Sequence, residues 1–200
     1  MQKHVEIEPF TLITPTAKIS ATAHGGRAKC LQRLIRLELP VPMTVAINFE
    51  TVSEISAGRL PDMAVIIAAF GRRPLISVRP SSEDPDWGGP GAILNIGMTD
   101  ARHAEMSETH GLVAATALYL RFIQSYSVHV ARLDPDQFDL SQTPEPANLD
   151  AALAAYRSET GAEFPQDPAV QLAEVLRSMA RAWNGTTARL LRQAKGAPAN

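Results

Sequence analysis

The feature that most constrains the fold of this chain is a pair of short apolar runs on either side of a polar, glycine-rich loop. The first run, at residues 75–78, reads LISV, and the second, at 92–96, reads AILNI. Short aliphatic and β-branched runs that are bounded by turn-forming residues predict strands. The chain therefore leaves one strand, crosses a polar loop and returns in a second strand, with Arg79 at the point where the first strand ends.

The loop between these strands has the residue types that a phosphate group requires. It carries Ser81, Ser82, Gly88, Gly89 and Gly91. The guanidinium of Arg79 can form paired hydrogen bonds with phosphate oxygens, and amides beside glycine can approach a ligand closely because no Cβ intervenes. A structural ion pair of Arg79 with Glu83 or Asp84 explains the same residues, so two interpretations of Arg79 stay open.

A second candidate for anion binding is the pair Gly25 and Gly26, which directly precedes a predicted helix. Leu31, Leu34 and Ile35 recur at helical spacing after it. The first N–H groups of a helix have no partners within the helix, and the helix dipole favours negative charge there. A glycine-containing helix start without any ligand is the alternative interpretation.

Composition and charge exclude several classes of protein. Two hundred residues allow one large domain or two small ones. The formal net charge of −2 argues against a general affinity for nucleic acid or anionic membranes. No apolar run has membrane-spanning length, and the N-terminus lacks the apolar core of a signal peptide. The single cysteine, Cys30, excludes an internal disulfide and makes the cytoplasm the expected compartment. Because Cys30 lies within a predicted helix, we expect it to be a buried thiol.

The overall pattern predicts an α+β fold, with a mixed sheet in the N-terminal half and a helical half from about Thr99. Before Thr99, strands are expected at 4–14 and 43–47, and helices after Gly26, at 49–57 and at 61–70. After Thr99, a short helix is expected at 99–106. A long helix follows, with an apolar stripe from Leu112 to Val130 that leaves Arg121 and Gln124 off the stripe. Three more helices are expected: one capped by Asn148 and ending at Gly161, one capped by Asp167, and a basic one at 186–194.

The remaining residue types form no catalytic pattern. The five histidines are scattered, and none has a carboxylate or cysteine at metal-ligand spacing. The hydroxyls of the loop have no adjacent histidine to activate a nucleophile. His129 lies near the apolar stripe of the long helix and is expected to be structural. Glu83, Asp84 and Asp86 could assist a metal-bound phosphate or form a solvated turn, and Trp87 could close over a ligand or pack within the loop.

Four segments of the chain, in this order, resemble the N-terminal part of the pyruvate, phosphate dikinase family, and more distantly phosphoenolpyruvate synthase. They are HGGRAKCLQRLIRLELPVP, LISVRPSSEDPDWGGPGAILNIGMTD, ALYLRFIQSY and YRSETGAEFPQDPAVQLAEVLRSMARAWN. The last three are specific, because FPQDP followed by a helix that ends near Trp-Asn is an uncommon pattern. The resemblance implies an ATP-grasp-type nucleotide-binding subdomain at 1–98, a mainly helical insertion at 99–165, and C-terminal helices at 166–200 that pack back on the first subdomain.

The resemblance also implies roles for the glycines and arginines. In that family, a Gly-Gly-Lys segment and the arginine of a Val-Arg strand contact ATP phosphates, and a glycine-rich loop closes over them. By position, these features correspond to Gly25 and Gly26, to Arg79, and to the loop at 88–91. Arg27 stands where the family has lysine, which keeps the positive charge but changes the geometry of the donors.

The function implied is that of a kinase-like phosphotransferase that binds ATP with magnesium. In the family, the magnesium-binding carboxylates and the adenine contacts lie in a second half of the ATP site. We expect this second half, the phosphohistidine domain and the pyruvate-binding barrel to lie outside these 200 residues. We therefore expect a nucleotide-binding part, incomplete for catalysis by itself, that meets a protein partner or a second copy. The alternative is a non-catalytic relative that acts as a regulatory or interaction protein through the surface that the second half would cover.

Overall fold

The computed structural model describes residues 10–82, 89, 91–138 and 143–194. These residues are mostly helical, with two small sheets, and they form two compact units. The first unit contains 10–71, 80–82, 89 and 180–194, and the second contains 72–79, 91–138 and 143–179. Within these ranges, no helix is both long and apolar enough to cross a membrane.

The first unit is built from short helices around a two-stranded antiparallel sheet. Its elements are β1 (Thr11–Leu12), α1 (Ala21–His24), α2 (Gly26–Arg36), β2 (Val45–Ala46), α3 (Phe49–Ser56), α4 (Met63–Ala68) and α9 (Thr186–Ala194). In the sheet, Thr11 lies opposite Ala46 and Leu12 opposite Val45. Ile13, Ile19, Ala28 and Ala46 form a small buried core. The helices predicted at 49–57 and 61–70 are confirmed as α3 and α4, which are capped by the side chains of Asn48 and Asp62.

Helix α2 is attached to the preceding loop by a buried glutamine. Gln32 is fully buried, and its Nε2 donates to the carbonyls of Thr14 (3.0 Å) and Ala17 (2.6 Å). Ala28 is buried one turn earlier on the same face. At 100° per residue, Cys30 lies on the opposite side of the helix, and it is exposed. The prediction of a buried thiol is therefore wrong, because Gln32 faces the core of this helix.

The second unit contains a two-stranded sheet followed by long helices. Its elements are β3 (Ile76–Val78), β4 (Ile93–Ile96), α5 (Asp100–His110), α6 (Leu112–His129), a 3-10 turn (Pro135–Gln137), α7 (Pro146–Thr160) and most of α8 (Pro168–Asn184). The strands are antiparallel, with Ile76 opposite Ile96 and Val78 opposite Ile93. The register shifts between these pairs, and Asn95 in β4 has a φ of 62° and donates to the carbonyl of Leu118. Such a shift is typical of a β-bulge.

The strands predicted from the two apolar runs are confirmed, but the sheet differs from the one expected. The sequence predicts one mixed sheet in the N-terminal half, whereas the described strands form two separate antiparallel pairs. Each strand is only two to four residues long, so neither pair offers a long edge to further strands. Of the strand predicted at 4–14, residues 1–9 lie outside the described part and only Thr11–Leu12 is a strand.

The long helix α6 is buried on more than the predicted stripe. Ala115, Tyr119, Phe122, Ile123 and Tyr126 of that stripe are buried, whereas Leu112 is 49% exposed at the start of the helix. Arg121 is exposed as expected, but Gln124 is buried, as are Thr116 and Ser127. The helix packs against α5, α7 and β4, and neighbours on several sides bury polar positions that a one-sided stripe would leave in water.

Most predicted capping signals are confirmed, although α5 extends to His110, past the end predicted at about residue 106. Thr99 caps α5 by accepting from the amide of Arg102 (3.1 Å), and Asp167 accepts from the amide of Ala169 at the start of α8 (2.8 Å). Gly161 ends α7 with a φ of 70°. The prediction that Asn148 caps α7 is wrong. The helix begins two residues earlier, at Pro146, whose fixed φ suits a first helical position, and the Asn148 amide donates back to the carbonyl of Thr143.

Candidate functional site

The candidate site lies at the start of helix α2, in the first unit. Gly25 precedes the helix with φ 83° and ψ 162°, a conformation that is open almost only to glycine. A Cβ placed on Gly25 would lie 2.5 Å from the carbonyl oxygen of Ser81 and 2.6 Å from its Oγ. Glycine is therefore required here for two reasons: the backbone angles, and the close approach of a segment more than fifty residues later in the chain.

Ser81 caps helix α2 from this distant segment. Its Oγ accepts from the amide of Ala28 at 3.0 Å, and its carbonyl oxygen accepts from the amide of Arg27 at 3.4 Å. The next residue is attached too, because the Nε of Arg27 donates to the carbonyl of Ser82 at 2.9 Å. Four predicted phosphate-binding residues, namely Gly25, Arg27, Ser81 and Ser82, thus meet at one helix start.

The donors that remain at this helix start are suited to an oxyanion. A serine hydroxyl has one hydrogen to donate and two lone pairs, so Ser81 can accept from Ala28 and still donate to a ligand. The guanidinium of Arg27 uses Nε for the protein, which leaves its two Nη groups without an acceptor among the described residues. The first turn of α2 carries no acidic residue, so the helix itself offers no carboxylate against the positive end of its dipole.

The lysine next to this site faces away from it. Lys29 Nζ donates to the carbonyl of Ile19 at 3.0 Å and to Oε1 of Gln32 at 3.1 Å. His24, at the end of α1, is buried, and its Nδ1 is 3.4 Å from the amide nitrogen of Ser20, which donates to it. Arg27 is therefore the basic residue of the α2 start that can face a ligand.

The other predicted site residues are placed as follows. Arg79 and Gly91 belong to the second unit, and both are exposed. Gly26 is the first residue of α2, and Gly89 is half-buried. Gly88 lies outside the described residues, as do Glu83, Asp84, Asp86 and Trp87, so their predicted roles stay predictions.

The FPQDP segment, in the second unit, has a structural role. The Phe164 ring lies 5.2–6.0 Å, centroid to centroid, from four aromatic rings, those of Tyr119, Phe122, Tyr126 and Tyr156. The carbonyl of Pro165 accepts from the buried amide of Gln171 at 2.7 Å. Asp167 caps α8, whose first residue is Pro168. A distinctive sequence pattern is explained here by packing and capping.

A hydrogen-bonded triad joins the same segment to the start of α5. Tyr119 donates from its hydroxyl to Oδ1 of Asp100 at 2.7 Å and accepts from Nε2 of Gln166 at 3.0 Å. Oε1 of Gln166 accepts from the amide of Asp100 at 2.8 Å. Burial raises the pKa of the Tyr119 hydroxyl, so it remains protonated and acts as a donor at neutral pH. Sequence reasoning missed this triad, because its members are 19 and 47 residues apart.

Comparison with known proteins adds no assignment. Neither a protein-family model nor a curated protein matches this chain in sequence. In the part of the chain that the structure describes, no three histidine, cysteine or carboxylate side chains come together as metal ligands. The start of α2 is therefore taken as the candidate site on its geometry alone.

Proposed function

We propose that this chain is the ATP-phosphate-binding portion of a pyruvate, phosphate dikinase-like phosphotransferase, with an ATP-grasp-type α/β subdomain, and that it is cytoplasmic. One observation carries this proposal. Two predicted phosphate-binding segments are in direct contact although more than fifty residues separate them: Gly25–Arg27, which the family resemblance assigns to ATP phosphates, and Ser81–Ser82 of the polar loop. Their contact leaves a serine hydroxyl hydrogen and one edge of a guanidinium available to a ligand.

The proposed mechanism is positioning and charge neutralisation. The Nη groups of Arg27 bind the phosphate oxygens of one group in a bidentate manner, and the hydroxyl of Ser81 donates to the same group. The dipole of α2 acts on the ligand through Ser81, which already accepts from the helix amides. The family resemblance assigns Arg79, an exposed cation of the second unit, to the ATP phosphates as well. Phosphoryl transfer depends chiefly on such positioning and on electrostatic stabilisation.

Magnesium ions and the adenine ring need further ligands. Under this proposal, carboxylates from a protein partner, from a second copy or from a further domain hold magnesium against the ATP phosphates. The chain alone then binds ATP weakly and does not transfer its phosphate. Catalysis begins only when the second half of the site is supplied.

The test is isothermal titration calorimetry of the chain with magnesium-ATP. We expect saturable binding in the wild type, and a loss of about tenfold or more in affinity for Arg79→Ala, because a hydrogen bond to a charged group contributes about 1.5–3 kcal/mol. The matched control is Arg72→Ala, which removes an exposed arginine of the same unit and should bind as the wild type does. Equal affinity of Arg79→Ala and wild type would contradict a phosphate-binding role for Arg79.

Arg27 provides the second arm of this test. Arg27→Lys restores the residue type of the family, but a lysine cannot donate from Nε to Ser82 and bind phosphate with two further donors at once. We therefore expect Arg27→Ala to weaken ATP binding and Arg27→Lys to retain part of it. A failure of every variant and of the wild type to bind ATP would contradict the proposal as a whole.

The second candidate function, a non-catalytic interaction protein, is favoured by exposed apolar side chains after α2. Leu37, Leu39 and Met43 are 62%, 50% and 58% exposed within seven residues. Apolar residues that are exposed together mark association surfaces more often than scattered ones do. Sedimentation velocity over a range of protein concentrations tests this function. Association that Leu39→Lys abolishes, together with no ATP binding, would favour it over the first proposal.

A further inference from the structure

A buried arginine on helix α9, in the first unit, has no counter-charge among the residues that the structure describes. Arg192 is only 9% exposed. Its Nη1 donates to the carbonyl of Trp183 at 2.8 Å, and its guanidinium carbon lies 4.3 Å from the centre of the Trp183 ring. The Phe49 ring is stacked on Trp183, with a centroid distance of 6.0 Å and an interplanar angle of 8°. One hydrogen bond and one cation–π contact thus fix the orientation of the guanidinium.

Two of the three guanidinium nitrogens are left unsatisfied. Nε and Nη2 of Arg192 are closed to solvent, and neither has a hydrogen-bond acceptor in the described part of the chain. Nor does any described carboxylate form an ion pair with Arg192; the neighbouring charge that acts on it is the cation Arg189. Burial lowers the pKa of the Arg192 guanidinium. Buried charges in proteins are ordinarily paired, because an unpaired one has lost its hydration without compensation.

The two unsatisfied groups are adjacent on one edge of the guanidinium. The hydrogens of Nε and Nη2 point in nearly parallel directions, which is one of the forks that arginine offers to a carboxylate or phosphate. Nη1 is already used, so the donors that remain match a bidentate acceptor. Both nitrogens of this edge are closed to solvent, and a hydrogen bond to an ion is stronger in such surroundings.

We propose that the Nε and Nη2 edge of Arg192 is a binding site for a small oxyanion, with two oxygens of a carboxylate or phosphate as acceptors. The site involves α9, Trp183 and Phe49 and none of the residues assigned to ATP at the start of α2. Because both nitrogens are closed to solvent, the anion enters when α9 moves slightly away from Trp183. Binding then restores the pairing that a buried guanidinium requires.

The first experiment uses the unmodified chain. The Nε–H resonance of Arg192 is assigned in a proton–nitrogen correlation spectrum by its absence from Arg192→Lys. Inorganic phosphate and acetate are then titrated separately, with sodium chloride at equal ionic strength as the reference. A saturable shift of this resonance with phosphate, with acetate or with both supports the site and shows which anion chemistry it prefers. No shift with either anion, or a shift that chloride reproduces, would overturn it.

The second experiment measures the specificity of the fork. The chain has two tryptophans, so Trp87→Phe leaves Trp183 as the only indole, and its fluorescence reports on binding. In that background, Arg192→Lys should weaken anion binding by about tenfold or more, because an ammonium cannot donate two parallel hydrogen bonds. The control Arg189→Lys alters an exposed arginine on the same helix and should leave the affinity unchanged. Equal weakening by both variants would show that the affinity does not depend on the buried fork of Arg192 and would contradict a site there.

Discussion

Replacing Gly25 with alanine tests the contact on which the candidate site is built. Gly25 has φ 83° and ψ 162°, and its missing Cβ would lie 2.5 Å from the carbonyl oxygen of Ser81. An alanine must therefore change its backbone angles or push Ser81 away from the start of α2. Either movement breaks the hydrogen bonds from the amides of Arg27 and Ala28 to Ser81.

The expected cost follows from two contributions. A non-glycine residue in this backbone region costs about 1–3 kcal/mol. The loss of a helix-capping side chain costs about 1 kcal/mol more. We therefore expect Gly25→Ala to lower the free energy of unfolding of the first unit by about 2–4 kcal/mol. Gly58→Ala is the matched control: Gly58 also has a positive φ, of 94°, but no atom lies within 4 Å of the Cβ it lacks, so only backbone strain applies.

Hydrogen exchange of the Ala28 amide is the assay that separates these contributions. In the wild type, this amide donates to Ser81 Oγ and should be protected from exchange. Gly25→Ala should speed exchange at Ala28 far more than Gly58→Ala does, and urea unfolding should show the larger loss of stability for Gly25→Ala. Unchanged protection of Ala28 in Gly25→Ala would refute the close approach of Ser81 to this helix.

Three further predictions concern other parts of the chain. Gln171→Leu should lower the free energy of unfolding in urea by about 3 kcal/mol, because it leaves the backbone partners of a buried side-chain amide unpaired. The control Gln137→Leu, at an exposed glutamine, should have little effect. Cys30 should react with a thiol reagent in the native protein as fast as in urea; slow reaction in the native state would contradict its exposed position. Burial, and to a lesser extent the charge of Arg132, lowers the pKa of His129 in the folded protein below its usual 6.5. As the pH drops below about 6.5, the unfolded chain therefore binds a proton at this residue before the folded chain does, and the free energy of unfolding should fall. His129→Gln should reduce that fall, and an identical pH profile would contradict the assignment.

Local signals in the sequence predict most helices and their ends. Thr99 and Asp167 are followed by residues whose amides they accept from, and Gly161 supplies the left-handed conformation that ends α7. Each of these signals acts within a few residues, which is why it can be recognised without knowing the fold. Asn148 does not cap α7, because Pro146 starts the helix two residues earlier.

Contacts between distant segments could not be predicted in this way. Nothing near Ser81 in the sequence indicates that its hydroxyl caps a helix 53 residues earlier. The glycine at position 25 is consistent with this contact, because only glycine leaves room for Ser81 to lie so close to the helix start. The exposure of Cys30 depends on Gln32, a polar residue that faces the core because its amide finds two carbonyls. Burial of a polar side chain is decided by such partners, and partners belong to the tertiary structure.

The central claim, that ATP phosphates bind at the start of α2, is tested most directly by mapping amide chemical shifts during titration with magnesium-ATP. The start of α6 is an internal control, because Gly111 precedes it with φ 89° and ψ 147°, without a side-chain cap and without a basic residue in the first turn. We predict saturable shifts at Arg27 and Ala28 and none at Leu112. The absence of saturable shifts at Arg27 and Ala28, or equal shifts at both helix starts, would contradict the claim.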